Sequence, residues 1–342
     1  MPAINPIDPK ILPILDPDFV AYYNQTLATK LATHQVSIDE VRNNPHAWGQ
    51  PWLKDFTGHE RVKNREIPSK DGYMVKLRVY HPHKSFEGPY GVHVNFHGGG
   101  FMFGDLQSDS VWCMLASQEV GIVVVDVDYR LCPEHAFGKN IEDAWAALEW
   151  VSTHGKDLNI NPASISIGGI SAGGHFACVL QHMARDASPR IPLVLAMPAV
   201  PPIDDHTVFS KASDSAYPSF LQMSLAPMLN WERIRYFTKH MWVANKHTDV
   251  EPWLISPIKA ANFKGLCDTF LITAECDPIR DEGEAYGMKL LAAGNKVTFR
   301  RYVGVPHPFM NIIALSQAMM YDEDTCAALR VAHAAMIKPS QT

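Results

Sequence analysis

The sequence predicts an α/β protein built on one mostly parallel sheet with helices on both faces. Three observations carry this. From about residue 90 onward, short runs rich in Val, Ile and Leu alternate with longer helical patterns, the order that builds a parallel sheet through crossover connections. Some of those runs, Ile122–Val127 above all, are apolar at nearly every position, as strands covered on both faces are. Glycine clusters follow two of them, at Gly98–Gly100 and around Ser171, where strands must turn sharply.

The elements follow in order. The first ~55 residues read as helical and partly amphipathic, with Phe19, Tyr22, Tyr23, Leu27 and Leu31 at three- and four-residue steps. Pro45 and Pro51 then punctuate the chain. From about Arg61 the period changes. Val75, Leu77 and Val79 alternate with polar neighbours after the Asp71-Gly72 turn signal. Val92–Phe96, Ile122–Val127, Ser164–Gly168, Leu193–Met197, Asp268–Ala274 and Val297–Tyr302 read as strands. Ser108–Glu119, Ile141–His154, Ala172–Arg185, Glu282–Ala293 and Asp322–Ile337 read as helices.

A segment between Asp205 and Pro252 breaks the alternation. It is rich in Met, aromatics and helix formers, among them Phe220, Met228, Trp231 and Phe237. An excursion of that size between strands is commonly a lid or small subdomain. The expected organisation is one catalytic domain. Residues 56–204 and 251–342 form its core, and residues 1–55 and 205–250 form a helical cap over the carboxyl ends of the strands.

Composition narrows the function. The 342 residues are 46% hydrophobic and 19% charged, with a net charge of -6. That balance is globular and offers no basic footprint for nucleic acid. No apolar stretch approaches the ~20 residues of a membrane span. The opening segment lacks a basic region followed by a continuous apolar run, so no signal peptide is expected. Six cysteines without a CxxC pair read as free thiols. Together these point to a cytoplasmic protein. A homodimer is expected on the frequency of two-fold assemblies alone.

Gly169-Ile170-Ser171-Ala172-Gly173 matches G-x-S-x-G between a short strand and an apolar helix. In that setting the motif is a nucleophile elbow, a strained turn that exposes the serine oxygen. His97-Gly98-Gly99-Gly100 follows the strand Val92–Phe96. Glycines let a backbone approach a substrate closely, so the N–H groups of Gly99, Gly100 and Ala172 are the expected donors to an oxyanion. Gly98, Gly169 and Gly173 support the two turns, and His97 is expected to hold its loop by hydrogen bonds.

The triad order after such an elbow is Ser, acid, His. Asp277 follows the strand ending near Ala274 and is the preferred acid, with Asp281 and Glu282 as competitors in the first turn of the next helix. His307 lies between two prolines, past the last strand, and is the expected base. His93 and His97 lack a third ligand at a recognisable spacing, so no metal site is expected.

These residues carry a resemblance. His97-Gly98-Gly99-Gly100-Phe101, Asp128-Tyr129-Arg130-Leu131 with Pro133-Glu134-His135, and Gly169-Ile170-Ser171-Ala172-Gly173-Gly174 stand in order. Asp277-Pro278-Ile279-Arg280-Asp281-Glu282 and the His307 loop follow. Over roughly residues 60–310 the chain resembles the hormone-sensitive-lipase family of carboxylesterases, the group that includes arylacetamide deacetylase, and it is similar to fungal members. The resemblance implies an eight-stranded α/β-hydrolase sheet, a helical cap and cofactor-free hydrolysis of esters with short to medium acyl or aromatic groups. Three positions depart from the family pattern: Ile170 where an acidic residue is usual, Pro308 where a glycine is usual, and Gly138 where a proline is common. Two alternatives use the same fold: a lyase, cyclase or acyltransferase step on a specialised metabolite, or ligand binding without catalysis.

Overall fold

The computed structural model describes residues 3–44, 53–242 and 249–339. Pro45 and Pro51 lie outside them. Eight strands form the main sheet: β1 Val62–Pro68, β2 Met74–Tyr80, β3 Tyr90–Phe96, β4 Val123–Asp128, β5 Ile160–Ile170, β6 Leu193–Ala199, β7 Thr269–Ala274 and β8 Val297–Tyr302. Their spatial order is β1-β2-β4-β3-β5-β6-β7-β8. β2 runs antiparallel to both its neighbours, and every other pairing is parallel.

The central strands are apolar on both faces because both are covered. In β4, Val124 belongs to one buried cluster and Val123, Val125 and Val127 to the other, the period of two that a pleated strand imposes. α3 Ser110–Val120 and α8 Ser316–Ala332 pack on the first face with α1 Pro17–Thr26. α4 Lys139–Thr153 and α5 Ala172–Asp186 pack on the second. α7 Arg280–Ala292 joins α5 through Tyr286 and Leu290 against Cys178. α2 Ile38–Asn43 and α6 Trp231–Met241 complete the helices of six residues or more.

Several boundaries differ from the sequence reading. β1 has no clear apolar signal, since only Val62 and Ile67 of its seven residues are buried; it is an edge strand whose middle is polar. α1 ends at Thr26, so Leu31 lies beyond it and is 44% exposed. The C-terminal helix begins at Ser316 and stops at Ala332, not Ile337. The next residue, His333, is fully buried. Its two ring nitrogens stand 2.8 Å from Ser164 Oγ and 2.8 Å from Ser166 Oγ on β5.

No described helix is long and apolar enough to cross a membrane. The six cysteines are free thiols, five of them buried.

Candidate active site

β5 ends at Ile170 and α5 begins at Ala172, which leaves Ser171 at the corner with φ 57° and ψ −113°. Its N–H donates to the Ala199 carbonyl at 2.8 Å, and its own carbonyl accepts from His175 N at 2.9 Å. The corner is held tight from below. A Cβ on either Gly169 or Gly173 would overlap the Phe96 carbonyl oxygen at the end of β3. Only glycine therefore permits the approach of β3 to the strand–helix turn. α5 is almost wholly buried, so the strained residue is fixed by packing on both sides.

The ends of β7 and β8 are stitched together just beyond the sheet. Glu275 N donates to the Tyr302 carbonyl at 2.9 Å and Cys276 N to the Val305 carbonyl at 3.0 Å. This brings Asp277 beside His307. His307 Nδ1 stands 2.9 Å from Asp277 Oδ2, and His307 Nε2 stands 2.9 Å from Ser171 Oγ. Asp277 is fully buried, and its other oxygen accepts from Ile279 N at 3.0 Å. Both carboxylate oxygens are thus engaged, which fixes the imidazole plane and its tautomer: Nδ1 carries the proton, and Nε2 faces the serine as acceptor.

The two competitors for the acid are committed elsewhere. Asp281 pairs with Arg280 at 2.7 Å and accepts from Ser219 N at 2.8 Å. Glu282 is fully buried and accepts from Ile203 N and from His206 Nε2. It ties the start of the 205–250 segment to α7.

The His97–Gly100 loop leaves β3 with Gly99 at φ 124° and Gly100 at φ 61°, conformations that glycine adopts without the Cβ penalty. Among the described residues no acceptor meets the N–H of Gly99, Gly100 or Ala172. His97 Nδ1 is 2.8 Å from the Gly98 carbonyl, and its ring stacks on Tyr129 at 4.2 Å. Tyr129 OH donates to the His97 carbonyl at 2.8 Å. The next residue, Arg130, is clamped by the buried Asp143 through Nε at 2.8 Å and Nη2 at 2.7 Å. A chain of contacts thus runs from α4 to the loop. Among the described residues no group of three or more His, Cys, Asp or Glu is arranged to hold a metal ion. His93 is buried against Ser166 instead.

A cavity of about 310 Å³ opens above Ser171 and His307. Its floor includes Gly98, Gly99 and Gly100; Thr33 and Arg42 from the N-terminal segment and Leu229, Arg233 and Phe237 from the 205–250 segment line it. Thr33, Arg233 and Asn311 were not singled out from sequence. Nothing in their spacing marks them, because they reach the cavity only through tertiary packing.

An eight-stranded sheet with one antiparallel strand near its edge, and a serine on an elbow after its central strand, define an α/β hydrolase. A profile of the alpha/beta hydrolase fold matches residues 93–311, and the chain belongs to that family, in its hormone-sensitive-lipase and carboxylesterase-like branch. An AB hydrolase superfamily protein of Schizosaccharomyces pombe is 31% identical over 97% of this chain and 98% of its own. Carboxylesterase NlhH of Mycobacterium tuberculosis is 32% identical over 73% of this chain and 76% of its own. The solved structure of a hyperthermophilic esterase from the archaeon Pyrobaculum calidifontis superposes with a TM-score of 0.81 at 29% identity, covering 93% of this chain and 98% of that one.

Proposed function

We propose that the chain hydrolyses small to medium carboxylic esters through Ser171, His307 and Asp277. Family membership makes it a carboxylic ester hydrolase; the residues and the substrate range are the proposal. The observation that carries it is the unbroken line Ser171 Oγ–His307–Asp277, with both links at 2.9 Å, beside a cavity lined by Gly99 and Gly100, whose N–H groups meet no acceptor among the described residues.

The steps follow from that geometry. His307 Nε2 takes the Ser171 proton as Oγ bonds to the ester carbonyl carbon. The carbonyl π electrons move onto oxygen, and the N–H groups of Gly99, Gly100 and Ala172 stabilise that charge. Collapse breaks the bond to the alcohol oxygen, which leaves with the proton from His307. Water then repeats the sequence on the acyl-serine, releasing the acid and restoring Ser171. Asp277 stays ionised and stabilises the imidazolium in both halves.

Residues 1–55 and 205–250 act as the cap in this reading, since both segments contribute walls to the cavity. Free thiols fit a reducing, cytoplasmic setting. The test is labelling with a fluorophosphonate and mapping the modified residue. Label on Ser171, and loss of turnover on the order of 10⁴–10⁶ in Ser171→Ala, is expected. Label on another serine, or an active Ser171→Ala, overturns the assignment.

A further inference from the structure

The wall of the cavity above Ser171 holds a cation with no carboxylate partner among the described residues. Arg233 lies in the first turn of α6, where the helix dipole disfavours a positive group. Its Nη1 donates to the Met228 carbonyl at 2.7 Å, and its guanidinium lies over the Phe237 ring at 5.7 Å. Its Nε is buried without a partner, and no carboxylate among the described residues pairs with it. Burial pulls its pKa down to about 10, so it is still charged at neutral pH. Arg42 is different: it is spent on Glu134 and on the Met102 and Cys132 carbonyls.

Arg233 is not alone. A second recess, between the N-terminal and 205–250 segments, shares Thr33, Arg233, Pro308 and Asn311 with the cavity above Ser171. Two more buried atoms without partners, Thr33 Oγ1 and His34 Nδ1, stand in its walls. Among the described residues no carboxylate lines this recess, and the exposed Lys30 does; Asp105 and Asp109 line the main cavity. An arginine N–H, a hydroxyl and an imidazole N–H are all able to donate. Two further buried donors beside the Arg233 guanidinium suit an anionic oxygen group, and burying them without one is costly.

We infer that the preferred substrate is an ester carrying a free carboxylate at its non-reacting end, held by Arg233 with Thr33 and His34 while Ser171 attacks the ester carbonyl. The inference rests on the ester-hydrolase reading above. Arg233 acts here as a specificity residue, since it touches the substrate and not the reacting bond.

The experiment compares matched esters. One pair is monoethyl glutarate and its methyl-ketone isostere, with the charge on the acyl side. The other is acetoxyacetate and acetoxyacetone, with the charge on the alcohol side. Wild-type protein is expected to favour the anion in at least one pair, by kcat/KM, on the order of 10- to 100-fold. Arg233→Met should collapse that ratio toward one, mainly through KM, and Arg233→Lys should keep part of it. Each ratio is internal to one variant, so general loss of activity does not move it. Equal kcat/KM values for anion and neutral ester in both pairs of the wild type overturn the inference while leaving the esterase reading intact. An undiminished ratio in folded Arg233→Met overturns the role of Arg233. No turnover of either anionic ester by protein that hydrolyses a neutral butyrate ester also overturns the inference, whereas failure of a fluorophosphonate to label Ser171 removes the esterase reading.

Discussion

Asp277→Asn is the most informative single change, because the structure dictates how the amide must sit. The carboxylate accepts from two fixed donors, His307 Nδ1 at 2.9 Å and Ile279 N at 3.0 Å. An amide has one acceptor oxygen. The Ile279 N–H belongs to the backbone and cannot turn away, so it claims that oxygen and leaves the NH₂ facing His307. The ring must then accept at Nδ1 and carry its proton on Nε2, which points a donor at Ser171 Oγ. That is the wrong tautomer for a base. The loss of kcat expected from a misdirected triad histidine is about 10⁴-fold, or about 5.4 kcal/mol at 1.36 kcal/mol per tenfold. The opposite flip would set two donors against each other in a buried site, at about 1–3 kcal/mol of stability. KM should change little, since Asp277 is fully buried and does not itself line the cavity. The assay is steady-state hydrolysis of a neutral butyrate ester, on variant protein shown to melt cooperatively, beside Asp281→Asn as the control. A folded Asp277→Asn that keeps a tenth of wild-type kcat would refute the reasoning, as would an equal loss in Asp281→Asn.

Three further outcomes are expected. Gly100→Ala places a Cβ 2.6 Å from the Phe237 ring at a φ of +61°, so the loop must shift. A drop of about 10²–10³ in kcat is expected, and near-native kcat would remove Gly100 from the oxyanion site. Asp143→Asn removes the buried charge that clamps Arg130, while Asp71 still pairs with Arg130 at 2.8 Å, so the cost should be about 1–3 kcal/mol; urea denaturation reads this, and an unchanged stability would contradict it. At His206, burial pulls the pKa down, but the charge and hydrogen bond of Glu282 outweigh it, with Asp204 and Asp205 adding to the rise above 6.5. The pair therefore stabilises the fold fully below about pH 6.5, and that contribution fades as pH climbs through the raised value. Thermal melts from pH 5.5 to 8.5 should show this loss in wild type and not in His206→Asn. Parallel curves would show that the pair carries no pH-dependent stability.

What the sequence made legible is what depends on local chemistry. The strands buried on both faces announce themselves because nearly every position is apolar, as in Val123–Val127, where only Asp126 is polar. The glycines at 99, 100, 169 and 173 are legible because positive φ at the first two and backbone contact with Phe96 at the others leave no alternative. Chain order after the serine points to His307 and to an acid among Asp277, Asp281 and Glu282. The choice of Asp277 over Glu282 is not settled by that order: both are fully buried, and only the packing of the 205–250 segment shows Glu282 spent on His206 and the Ile203 N–H.

The harder lesson lies in Arg233. In sequence it is one basic residue among helix formers, preceded by Glu232. A surface helix would place such a cation in water or beside an acid. Here the N-terminal segment closes over α6, and Thr33, His34 and Arg233 come to share one recess. The cost of burying a charge grows with desolvation and falls only with a partner. No element of the described fold supplies that partner to Arg233. The groups that select a substrate can therefore be the ones whose electrostatics the fold leaves unbalanced. They stay invisible to pattern because each half of the recess comes from a different part of the chain. In an enzyme whose Ser171, His307 and Asp277 are satisfied by one another, that unbalanced arginine is the feature through which one ester can differ from the next.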